Sequence, residues 1–248
     1  MAAYASLLAA SATLRVASLD LCADEYLLML ARPEEIATVS RLSRDPADSP
    51  LWRQGRRYPG NNGTLESALA SKPTLLLKMG GGGRGTTLIA RRIGLRTIDL
   101  PVPASVADVE RNMTLVASAL GAPKRADAWR ARFARLNRPP SHRDAIFLSG
   151  GGRTVASRSL SAQWMELAGL RQRYVAGGRV GLETLLLHPP QVLLRSDYRR
   201  SEVSLGQRWL DHPMVRSARS RTIPTDGRRW TCSGPLMLRE IERLQVLP

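Results

Sequence analysis

Two Rossmann-like α/β lobes are what this sequence predicts, and three observations carry that reading. The first is an internal repeat. Residues 65–77 read LESALASKPTLLL, and residues 182–194 read LETLLLHPPQVLL. With Glu66 set on Glu183, Leu69 falls on Leu186, Pro73 on Pro190, and Leu75-Leu76-Leu77 on Val192-Leu193-Leu194. Each copy reads as a short helix, a proline stop and a buried strand. Proline lacks the N–H and clashes with the preceding turn, and an aliphatic run bounded by such a stop is covered on both faces. The second observation is the alternation of strand-like and helix-like segments, which indicates parallel sheets with covered faces. The third is size. The 248 residues leave room for two lobes of about 100 residues each, and the 43% apolar content supplies a core. The repeat also places one carboxylate at the same point of each lobe.

The elements follow in order. Residues 15–20 form a first strand ending in a loop. Cys22-Ala23-Asp24-Glu25 then opens a helix through Leu30, its acidic residues in the first turn where the helix dipole favours them. Residues 35–40 form a second strand, and 41–63, rich in Arg, Pro, Gly and Asn, an irregular segment. The first repeat copy follows, then the tract 80–85, read as a mobile loop at the strand's carboxyl end. A helix over 88–94 and a strand over 97–100 complete the first half. Ser105 with Asp108 has the form of a helix N-cap with an acidic third position, and that helix runs to about Leu120. Gly121-Ala122-Pro123 interrupts it, and a second helix covers about 124–136, with Ala126, Trp129, Phe133 and Leu136 at helical spacing. The second half restarts with a strand over 145–148, a glycine loop over 149–153 and a helix over 160–169. The second repeat copy, a helix over 205–219, a strand over 221–224, a loop over 225–233 and a last helix from Pro235 to about Leu244 finish the chain. The domain reading is an N-terminal α/β lobe over 1–104, a helical connection over 105–140 and a C-terminal α/β lobe over 141–248.

Composition bounds the function. No apolar run reaches the roughly 18 residues of a membrane-spanning helix. The start, MAAYASLLAASATLRV, has a small-residue apolar stretch without a positively charged beginning. It reads either as the remnant of an export signal or as a frayed helix. The formal charge is +16, and all but three of the 37 basic residues are arginine. Such a field attracts anions, nucleic acid and anionic membrane surface, but aromatics are only 5% and no nucleic-acid module is recognisable. Cys22 and Cys232 are not spaced like a metal site; a long-range disulfide and two free thiols both stand open. Gly80 and Gly85 have the spacing of a phosphate-binding loop, but Thr86 stands where its lysine belongs, which argues against nucleotide hydrolysis. His142, His188 and His212 are scattered, and no spacing supports catalysis.

Ligands of open α/β sheets bind outside the carboxyl ends of the strands. Besides Asp24, Arg199, Arg228 and Cys232, the loops there carry Asp20, Cys22, Tyr26 and Arg84 in the first half, and Arg153, Arg195, Tyr198, Arg229 and Trp230 in the second. Guanidinium forks suit oxyanions and aromatics suit flat organic surface. These nine are the candidate ligand-binding residues.

Four segments, RVASLDLCADEYLLML, TLESALASKPTLLL, GLETLLLHPPQVLL and WLDHPMVRSARSRTIPTDGRRWTCSGP, together with the helical middle, carry a family likeness. The chain resembles the periplasmic substrate-binding proteins of ABC importers for ferric siderophores, heme and cobalamin. The resemblance implies two α/β lobes joined by a long rigid helix within about 105–137, with the ligand between them. It implies that Glu66 and Glu183 sit on the tops of the lobes and dock onto arginines of the permease subunits, orienting the encounter. It further implies a periplasmic, monomeric binding protein without catalytic step or resident cofactor, whose ligand is an iron chelate or corrinoid. The export signal is missing or truncated as the sequence reads. The arginine count favours a ferric siderophore, and heme would need Tyr26 or Tyr198 as a ligand. The alternative is a cytosolic basic anion- or nucleic-acid-binding protein with no transport role.

Overall fold

The computed structural model describes residues 13–80, 84–199 and 202–247, with Arg84 described in its backbone alone. The reading of the extreme N-terminus, and the middle of the 80–85 tract as a mobile loop, lie outside the described residues. The first half runs β1 (Val16–Ser18), α1 (Leu21–Leu30), β2 (Ile36–Ser40), α2 (Trp52–Gly55), β3 (Gly60–Asn61), α3 (Leu65–Leu69), β4 (Leu75–Met79), α4 (Arg84–Arg92) and β5 (Arg96–Leu100). The connection is α5 (Val106–Ala119), a 3-10 turn over Pro123–Ala126 and α6 (Asp127–Ala134). The second half runs β6 (Arg143–Leu148), α7 (Leu160–Leu167), β7 (Leu170–Gln172), α8 (Leu182–Leu187), β8 (Val192–Ser196), α9 (Leu205–Leu210) and α10 (Pro213–Arg216). It ends with β9 (Arg221–Thr225), α11 (Gly227–Cys232) and α12 (Met237–Gln245).

Two sheets result, ordered β3-β2-β1-β4-β5 and β7-β6-β8-β9. Their strand pairs are parallel. With β3 set aside the two orders are equivalent. The helix–strand repeat occupies the same place in each, and β4 and β8 have matching bounds in the register that sets Glu66 on Glu183. Leu75–Leu77 and Val192–Leu194 are at most 1% exposed, as strands covered on both faces require. Pro224 is accommodated because β9 is an edge strand.

One apolar cluster runs through both lobes. It takes the inner faces of the two sheets together with α1, α5, α6, α7 and α12. The scarce aromatics are spent there. Trp129 stacks on Phe133 at 5.2 Å, Phe133 meets the edge of Trp164 at 6.2 Å, and Phe147 lies 5.0 Å from Trp230. The buried indole N–H groups find carbonyls, Trp129 donating to Pro235 and Trp164 to Ser233, so the bulk is buried without an orphan donor. Smaller clusters cover the outer faces, one with α3 and α4 on the first sheet and one with α8, α9 and α10 on the second. Arg125, from the connection, clasps Glu35 ahead of β2 at 2.9 Å and holds its carboxyl down to about 2.

The structure differs from expectation in five places. The 41–63 stretch holds α2 and β3. Arg84 and Gly85 open α4 instead of ending a loop. The strand β7 follows α7 directly. The 205–219 helix is two, because Pro213 cannot continue α9 and instead starts α10. The 225–233 loop contains α11, whose N-cap Asp226 accepts from the Arg228 N–H.

Candidate functional site

The carboxyl ends of β1 and β2 face those of β8 and β9, and three sets of contacts join them. Cys22, in the first turn of α1, is disulfide-bonded to Cys232 at the end of α11, with 5.4 Å between their Cα atoms. Of the two open readings of the cysteines, this is the bridge. Asp48, on the loop after β2 and 5% exposed, accepts from the Tyr198 hydroxyl at 2.8 Å and from the Arg199 guanidinium at 2.7 Å. Arg228 donates to the Pro46 carbonyl at 2.7 Å. Tyr198 can lie so low because Gly227 is beneath it. A Cβ there would stand 2.4 Å from that of Tyr198 and 2.1 Å from the Ser196 hydroxyl.

Beside these contacts is a cavity of about 830 Å³. Its wall holds four arginines, Arg199, Arg228, Arg229 and Arg243, and three carboxylates, Asp197, Asp226 and Glu240, with Pro46 and Ala47 entering from the first lobe. The arginines are braced. Arg228 forks onto Asp226 at 2.8 Å, and Arg243 holds Glu240 at 2.6 Å. Burial raises the Asp226 carboxyl, but the Arg228 hydrogen bonds and charge outweigh it and leave the group below its usual range. Behind the wall is Glu25 of α1, on which the Arg229 charge acts. Burial pushes the Glu25 carboxyl well above its usual range, and the Arg229 charge opposes the shift. The arrangement presents guanidinium forks pre-oriented by their carboxylate partners, four arginines against three acids, on which ligand oxygens can be received.

The nine candidates do not converge as a group. Tyr198 and Arg229 belong to the joint or the cavity. Cys22 is there as half of the bridge, so it is not a free ligand. Asp20 is a structural cap, its two oxygens accepting from Ala23 and Met79 at 2.8 Å each. Tyr26 is fully buried in the core, and Trp230 is 7% exposed, packed on Phe147 and donating to Thr225; neither reaches ligand space. Trp230 still stands one residue layer behind the cavity, because Thr225 lines it. Arg195 points elsewhere, paired with Asp211 at 2.8 Å beside a separate small pocket, so it forms no clamp with Arg229. Arg153 borders a second cavity of about 470 Å³ with Arg179 and Trp209. The Arg84 side chain lies outside the described residues. Sequence reading missed Asp48, Asp226 and Glu240; the legible signal was that carboxylates are scarce in so basic a chain.

Asp24 is also fully buried, on the other side of α1. It accepts from the Ser40 N–H at 3.1 Å and from the Ser40 and Ser43 hydroxyls at 2.5 and 2.6 Å. Burial nevertheless pushes its carboxyl up to about 7. The folded protein then holds a proton that the unfolded chain has released between about pH 4 and pH 7, so stability falls as pH rises through that window. Urea midpoints should be higher at pH 5 than at pH 8, and Asp24→Asn should flatten the profile. An unchanged slope in that variant would show that Asp24 does not set it.

Glu66 and Glu183 occupy the second positions of α3 and α8. Both are exposed, and neither forms an ion pair among the described residues. Because α3 follows the carboxyl end of β3 and α8 that of β7, both start from the same edge of the molecule as the cavity. Among the described residues no helix is long and apolar enough to cross a membrane. No group of three or more His, Cys, Asp or Glu side chains is placed there to hold a metal.

No protein-family model matches the sequence, and no curated protein matches it. Solved structures match over nearly the whole chain. The periplasmic heme-binding protein RhuT from Roseiflexus sp. RS-1 is 20% identical, with a TM-score of 0.70 over 94% of this chain and 97% of that one. The periplasmic heme-binding protein HutB of Vibrio cholerae is 17% identical, with a TM-score of 0.70 over 94% and 98%. A periplasmic heme-binding protein from Pseudomonas aeruginosa is 20% identical, with a TM-score of 0.69 over 93% and 91%. At these identities the likeness establishes the fold.

Proposed function

We propose, from a chain with the bilobal α/β fold of the periplasmic binding proteins, that it is the substrate-binding component of an ABC importer. It captures an anionic iron complex between its lobes and delivers it to the permease, with no catalytic step. The observation that carries this reading is the arginine-lined cavity at the facing carboxyl ends of the two sheets. Further support comes from the two unpaired, exposed glutamates at equivalent positions of the repeat. The disulfide suits an oxidising compartment such as the periplasm.

Two ligands fit the class. A ferric siderophore is favoured by the four cavity arginines. Heme is favoured by Tyr198, a phenol at the joint that can ligate ferric iron; burial and its hydrogen bond to Asp48 raise its pKa, and the Arg199 Nε 3.2 Å away opposes that rise. The fold's heme-binding neighbours point the same way. Titration with ferric citrate, ferric catecholate, ferric hydroxamate, hemin and cyanocobalamin, followed by tryptophan quenching and by the Soret band, tests the proposal. Saturation by one anionic iron complex at micromolar concentration or below is expected, and Arg228→Gln should weaken it about tenfold. Loss of the Soret change in Tyr198→Phe would select heme. No response to any iron complex from a folded protein would overturn the proposal. Tight, salt-steep binding to unrelated DNA would favour the nucleic-acid alternative. Glu66→Gln with Glu183→Gln should leave ligand affinity unchanged and lower permease-dependent uptake several-fold.

A further inference from the structure

The helix α4 and the turn after it carry an apolar stripe that no other part of the described residues covers. Ala90 and Leu95 anchor the segment, buried with Leu65 and Ala68 of α3 and with Leu76 of the sheet. On the outward side Leu88, Ile89 and Ile93 are 57%, 48% and 53% exposed. Helical spacing sets 88, 89, 92 and 93 on one face, and the amide of Ile93 still bonds the carbonyl of Ile89 at 3.1 Å. Arg91, Arg92 and Arg96 are exposed on and around this stripe. None of the three forms an ion pair among the described residues. One exposed aliphatic is ordinary, but three together on one short helix and the turn after it, set among unpaired arginines, make a directional surface.

We infer that this face docks on an anionic bilayer surface. The three aliphatics enter the headgroup boundary while the guanidiniums reach lipid phosphates, as on an interfacial amphipathic helix. Charge decides among the occupants. A second copy of a chain with net charge +16 would bring like charges together at Arg91, Arg92 and Arg96. The stripe is also free of aromatics, unlike the anchored centre of a protein interface. A lipid surface needs no groove and supplies the missing negative charge. The stripe shares its side of the first sheet with α3, which bears Glu66 and the 36% exposed Leu69, so permease docking through Glu66 and bilayer contact through α4 are compatible. The inference goes beyond the importer reading, and its test uses neither ligand nor permease, so the two fail separately.

The test is co-sedimentation of the full chain with vesicles of equal phosphatidylcholine and phosphatidylglycerol, and with vesicles of phosphatidylcholine alone, at moderate salt. Binding to the anionic vesicles only is expected. Leu88→Ser with Ile89→Ser and Ile93→Ser should weaken it about tenfold or more, and so should Arg91→Gln with Arg92→Gln. Circular dichroism of these surface variants should match the parent, and a control, Arg208→Gln with Arg219→Gln on the second lobe, should bind as the parent does. Absence of binding to anionic vesicles would overturn the inference. So would equal weakening by the control, which would mark diffuse charge adsorption. A dimer in sedimentation equilibrium that the triple serine variant abolishes would likewise overturn it by assigning the stripe to a second copy.

Discussion

Arg229→Met should cost about 1–3 kcal/mol of folding stability at neutral pH, the usual penalty for leaving a buried polar group without its partner. Methionine keeps much of the apolar stem but takes away the charge that three carboxyl groups share. Glu240 and Asp226 lie 3.7 and 3.8 Å from the Arg229 Nε, and each keeps a second arginine, Arg243 and Arg228. Glu25 is different. It is 2% exposed, one of its oxygens has no hydrogen-bond partner, and Arg229 is the cation that acts on it. The loss should therefore be largely Glu25's. Adding Glu25→Gln in the Arg229→Met background should return a good part of the stability, which a double-mutant cycle of urea midpoints would show as coupling above about 0.5 kcal/mol. The penalty should also shrink toward acidic pH, where the carboxyl groups take up protons. Independent effects of the two substitutions would mean that Glu25 and Arg229 do not sense one another.

Cys22→Ser with Cys232→Ser should cost about 2–4 kcal/mol. The bridge closes a loop across a sequence separation of 210 residues, so it constrains the unfolded chain from one end of the protein to the other. It also joins elements of different lobes, α1 to α11, so its loss removes a covalent constraint between them. Alkylation of the unreduced protein should label neither cysteine, and the urea midpoint of the parent should drop on reduction while that of the double variant does not move. Two alkylatable thiols in the unreduced protein, or a midpoint indifferent to reductant, would remove the bridge from the account.

Much of this fold is legible in the chain because burial and punctuation agree. The two repeat strands are uninterrupted aliphatic runs behind prolines, and a strand covered on both faces tolerates little else. The N-cap at Ser105 and the break at Gly121 are written in single residues with local meaning. What escaped is what depends on partners distant in sequence. Leu170-Arg171-Gln172 is too short to show a period, and becomes β7 because β6 offers a free edge. The α11 segment reads as a polar loop, and is a helix because Asp226 caps it and Trp230 can be buried under Thr225. The candidate site shows the same division. Strand-end loops were identifiable, but which arginine meets which acid was not: Arg195 and Arg229 have similar settings in sequence, and one turns to Asp211 while the other lies by Asp226 and Glu240. Tyr26 and Trp230 were placed at the ligand by residue type, whereas the side of a helix that meets the core decides their surroundings.

On the proposed function, the apolar cluster common to both sheets bears on how cargo would leave. A gap held on one side by a continuous core and on the other by a covalent bond has its width set before anything enters it. Binding then has no hinge closure to drive, and release gains nothing from a spontaneous reopening. A carrier built this way would act as a fixed-jaw calliper, admitting what matches its span, and work to unload it would have to be applied from outside. On the same reading Glu66 and Glu183, one on each jaw at the same edge, would let a single partner grip both at once.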